Sequence, residues 1–135
     1  MLVIRQEQID VLSKGTDDEF VEFLVAHVKK EDPELESKYD DDALRVMVRT
    51  GIDKAKRYKI NSAKDQSAFV SIMFRIAPNF DGQPEIKAVL EEKHATAADR
   101  LEKLWSPAVP AEVWDKAVDE YDEAAWQNDR KDEPK

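Results

Sequence analysis

The chain has 135 residues, 41% hydrophobic and 38% charged, with a formal net charge of −9 and no cysteine. A single domain of this size buries about two-thirds of its unfolded surface, and without cysteine it has no disulfides, thiol catalysis or thiolate-held metal. The negative charge disfavours nucleic acid and anionic membranes as partners, because their phosphates need a basic face.

No apolar run approaches the ~20 residues that span a bilayer. The opening MLVIRQEQ has neither the charge order nor the apolar length of a signal peptide. A cytoplasmic location is therefore expected. Three glycines and little β-branched alternation favour helices over sheets.

In chain order, positions 2–4 read as a short extended start. Positions 6–14 read as a short helix that turns Ile9 and Leu12 inward and stops near Gly15. Thr16 opens TDDE, a capping box with Glu19 at the third position after the cap. Phe20, Phe23, Leu24, His27 and Val28 then form a helical stripe, closed by Lys29 and Lys30. Asp32-Pro33 starts one or two further turns.

The densest apolar spacing lies in 40–76. Asp40, Asp41 and Asp42 supply an N-cap and negative charge where a helix dipole favours it. Leu44, Met47, Val48, Gly51, Ile52, Ala55 and Tyr58 follow at three- and four-residue steps. A glycine at 51 costs roughly 1 kcal/mol relative to alanine in a helix, which predicts close approach of another helix. Ser62 caps the next helix, whose buried face is Phe69, Ile72, Met73 and Ile76 and whose stop is Pro78. The two helices form a hairpin.

PNFDGQP, at 78–84, is a loop with Phe80 plugging the core. Ile86, Val89 and Leu90 mark one helix, and Thr96 caps another bearing Leu101, Leu104 and Trp105. Pro110 starts the last, with Val113, Trp114, Ala117, Val118 and Tyr121. The expected fold is all-α: a compact single-domain bundle of about six helices around the central hairpin, spanning 1–126, with a charged disordered tail at 127–135. Phe20, Leu24, Leu44, Met47, Val48, Ile52, Phe69, Ile72, Met73 and Ile76 are its expected core.

Candidate chemistry is sparse. His27 sits on an apolar stripe, as a partly buried, hydrogen-bonded histidine would, and His94 lies in a polar stretch. No metal-binding, nucleophile-elbow or phosphate-loop motif appears. No catalytic residue, cofactor or metal is assigned, and a non-enzymatic protein is expected.

Charge is segregated. Arg45, Arg49, Lys54, Lys56, Arg57 and Lys59 crowd one helix, opposed only by Asp53, while 112–133 is rich in carboxylates. Either the acidic last helix packs near the basic one, or the basic face docks an acidic protein segment. Arg45, Arg49, Lys56 and Arg57 are the candidate partner-binding cations. Trp126 is the candidate exposed anchor, with Trp105 and Trp114 assigned to the core.

VIRQEQIDVL, DDALRVMVRTGIDKAKRYKINSAKD, FVSIMFRIAPNFD and VPAEVWDKAVDEYDEAAW span nearly the whole chain apart from the tail. In these stretches the chain resembles a family of small bacterial proteins encoded beside type VI secretion spike and effector genes. The resemblance implies an adaptor or co-chaperone that helps an effector load onto the secretion apparatus. Its partner would be the secreted effector, the effector's chaperone or a spike-tip protein. The charged tail and acidic balance depart from that pattern. The alternative is an immunity protein that covers the active site of a cognate toxin, where acidic charge suits a basic nuclease.

Overall fold

Local caps and apolar stripes set the elements of this chain. The structure, a computed structural model, describes residues 17–128. In order these form α1 (Asp17–Glu31), α2 (Leu35–Lys38), α3 (Asp41–Arg57), α4 (Ala63–Arg75), a 3-10 turn (Phe80–Gly82), α5 (Pro84–Leu90), α6 (Ala97–Lys103), α7 (Ala111–Asp119) and α8 (Ala125–Asn128). The fold is all-α, with no strand among the described residues, and six of the helices have seven residues or more. The expectations for 2–4, 6–14, the Thr16 cap and 129–135 lie outside the described residues, whereas α8 carries helix into 127–128.

The α3/α4 hairpin forms the centre. Asp40 Oδ1 accepts the Ala43 N–H at 2.8 Å to start α3, and Ser62 Oγ accepts the Asp65 N–H at 3.1 Å to start α4. Acidic residues open α3, and Lys54, Lys56 and Arg57 close it, both complementing the helix dipole. At its C-terminal end the Ile60 N–H reaches the Ala55 carbonyl at 2.9 Å and the Lys59 N–H reaches Lys56 at 2.9 Å. This is a Schellman closure, with Lys59 at φ 65 in the position where glycine is usual.

Gly51 is where the two helices meet. A Cβ there would lie 2.9 Å from Val70 Cγ2 and 3.1 Å from Met73 Sδ, so only glycine admits α4 at this distance. Leu44, Val48, Phe69 and Met73 are fully buried around it. α1 lies across α3 and buries Phe20, Val21, Leu24, Val25 and Val28. Its buried stripe is thus rotated from the expected one, which leaves Phe23 and His27 partly buried. Ile76, expected in the central core, is the C-cap of α4 and only partly buried.

Phe80, Ile86, Leu90 and Leu104 extend the core beneath the later helices. α5 packs on the 3-10 turn and α6, α7 packs on the 3-10 turn, and α8 returns to α3.

Two tryptophan assignments are corrected. Trp126, expected as an exposed anchor, is 2% exposed. The return of α8 places its ring 4.6 Å from that of Phe74, and its Nε1 donates to the Tyr121 hydroxyl at 2.9 Å. Trp105, expected in the core, is 50% exposed. α6 ends at Lys103, and Leu104 takes the buried place beside it.

Candidate protein-binding surfaces

The basic helix divides into two halves. Arg45 donates to Glu22 and Asp42, and Arg49 donates to Asp18 at 2.7 Å. Carboxylates of α1, rather than the acidic last helix, therefore offset the N-terminal half of α3. The Arg49 pair is largely exposed, and such pairs contribute about 0–1 kcal/mol each. They set local charge more than stability. Lys56 is exposed, and Arg57 lines a cleft at the other end. The four candidate cations are thus spread along the helix rather than gathered in one patch.

That cleft has a volume of about 860 Å³, and six cations and three carboxylates line it. At one side Lys54 Nζ lies 2.7 Å from Asp81 Oδ1 and donates to the Pro78 carbonyl at 2.9 Å. The Tyr58 hydroxyl donates to Asp81 Oδ2. Burial, and then the Asp81 charge, push the Tyr58 phenol far above its ordinary pKa, so it remains a neutral donor.

Arg100, 6% exposed, supports the cleft. Its Nη1 donates to the carbonyls of Tyr58 and Leu90, and its Nε donates to that of Thr96. Tyr58 is the C-cap of α3, Leu90 ends α5 and Thr96 is the N-cap of α6, so one guanidinium ties three helix termini. The negative ends of the α3 and α5 dipoles help offset the cost of burying this charge. Arg100 was absent from the sequence candidates. Its signal was a cation on the same helical face as Leu104, four residues on.

A second surface is aromatic. Ring centroids step from Phe69 to Phe80 at 5.2 Å, to Trp114 at 6.2 Å and to Trp105 at 4.8 Å, the last pair stacked at 15°. The column begins in the core and ends at half-exposed Trp105. Val118, one turn beyond Trp114 on α7, is also half-exposed. Glu112, Asp115 and Asp119 are exposed on the same helix. A stacked, preordered indole has the character of an interface hot spot.

His27 stacks on Phe23 at 5.7 Å. Its buried Nε2 has no hydrogen-bond partner among the described residues. Desolvation lowers its pKa. His94 is exposed. Among the described residues there is no cluster of three or more metal-binding side chains, and no helix is long and apolar enough to cross a membrane.

No family model, curated protein or solved structure matches this chain.

Proposed function

We propose that the chain is a non-enzymatic protein-binding adaptor or co-chaperone that assists loading of a type VI secretion effector. The observation that carries the binding role is the half-exposed Trp105, fixed by stacking on Trp114 at the end of a column rooted in the core. A stacked indole loses little conformational freedom on docking, so more of its burial contributes to affinity. The secretion context rests on the resemblance of the helical phrases.

The test is affinity purification of the tagged chain from the cells that make it, with mass spectrometry of what accompanies it. The wild type is expected to recover an effector, its chaperone or a spike-tip protein. Trp105→Ser should reduce that recovery by about tenfold, in keeping with a hot spot, while the circular dichroism stays helical. A single toxin domain in a tight pair would instead establish the immunity reading, which the exposed carboxylates of α7 favour where the toxin is basic. Recovery of nothing, or full recovery with Trp105→Ser, overturns the proposal.

A further inference from the structure

We propose that the cleft at the C-terminal end of α3 binds a short acidic segment of the protein partner, through Lys59 and Lys93. This rests on the protein-binding reading and names the chemistry of a second contact, separate from Trp105.

Within a chain of net charge −9, the cleft has twice as many cations as carboxylates. Its carboxylates are already engaged. Asp81 is held by Lys54 and Tyr58, Glu92 by Lys103 at 2.8 Å, and Glu91 lies 3.9 Å from Lys87. Lys59 and Lys93, both exposed on the cleft, make no ion pair among the described residues. Arg100 is satisfied by carbonyls, so no carboxylate cancels its charge beneath them.

Helix dipoles alone account for some of these cations, because Lys54 and Arg57 sit in the last turn of α3. They account for the charge of Lys59 but not for its backbone conformation. Its φ of 65 puts a lysine in the left-handed region, a strained conformation that glycine adopts freely. Nor do they account for Lys93, which lies beyond the end of α5. Strain retained at a position is a pointer to use, and here it holds a cation on the cleft.

Single carboxylates spaced along an extended peptide are each matched by one lysine, and the rest of the acidic surface repels a uniformly acidic body.

The test is fluorescence anisotropy of the full chain with a labelled oligoglutamate peptide at low salt. Wild type should bind, more weakly as salt rises. Lys59→Glu with Lys93→Glu should weaken binding by about tenfold or more, and Lys93→Glu alone measures the effect if the double variant misfolds. Lys56→Glu, on the same helix but outside the cleft lining, should change little. Trp105→Ser should leave peptide binding intact, so failure of the adaptor reading and failure of the cleft are separable. Absent binding, equal losses in the Lys56 and Lys93 variants, or displacement of the peptide by stoichiometric inorganic pyrophosphate would each overturn the proposal.

Discussion

The α3/α4 hairpin and the C-terminal third of the molecule are held together by different means. In the hairpin the contact is apolar and close, centred on Gly51 against Val70 and Met73. The C-terminal third is pinned by side-chain hydrogen bonds. Asn79 donates to the Glu120 carbonyl at 2.9 Å and accepts the Asp122 N–H at 3.0 Å. Gln83 donates to the Glu120 carboxylate at 2.8 Å. Tyr39 and Tyr121 both donate to Glu123, and Trp126 Nε1 donates to Tyr121. Burial raises the pKa of both phenols, which keeps them neutral donors. Close apolar packing makes the hairpin one cooperative unit, whereas a pinned segment can open on its own.

Trp126→Ala is the strongest way to break this contrast. Truncating a buried tryptophan costs about 3–5 kcal/mol, and Phe74 loses the tilted ring packed on it. The free energy of opening 120–128 should fall by that amount, read as hydrogen-exchange protection lost there and retained in α3 and α4. If α3 and α4 lose protection equally, the two regions are one unit.

Gly51→Val tests the other side. Its Cβ would enter the space of Val70 Cγ2, a short branched side chain with little room to yield. Overpacking of this kind costs about 1–3 kcal/mol, occasionally more. Here the loss of protection should extend over α3, α4 and α1 together. A variant as stable as wild type would show that the helices separate easily, and the close-packing account would fail.

The same contrast explains what the sequence showed and what it hid. The hairpin was legible because its caps and stripe are local: Asp40 to Ala43, Ser62 to Asp65, and apolar residues at helical steps. Trp126 was misassigned because its burial depends on distant pins, and Trp105 because α6 ends at Lys103 with Leu104 taking the buried place. Tyr39 meets Glu123 across 84 positions and Asn79 meets Glu120 across 41, and no spacing rule reaches that far. The cleft was hidden for the same reason. Lys54 and Lys59 were visible as charges on a helix, but the cleft also takes Lys93 and Arg100 from the far side of α5.

The smallest expected effect is at Lys59, in the turn of the hairpin. A left-handed conformation costs an L-residue roughly 1–2 kcal/mol, while glycine loses about 0.5–1 kcal/mol more conformational entropy on folding. Lys59→Gly should therefore raise stability by about 0.5–1 kcal/mol, read as a higher urea midpoint with an unchanged slope. The Schellman bonds from Ile60 and Lys59 to the last turn of α3 use only backbone atoms and survive the change. The same variant loses one cation from the cleft and should bind oligoglutamate more weakly. More stability with less binding would mark Lys59 as a residue kept for its charge at the expense of the helix end. Lower stability would mean that its side chain supports the fold, and the strain argument for the cleft would go with it.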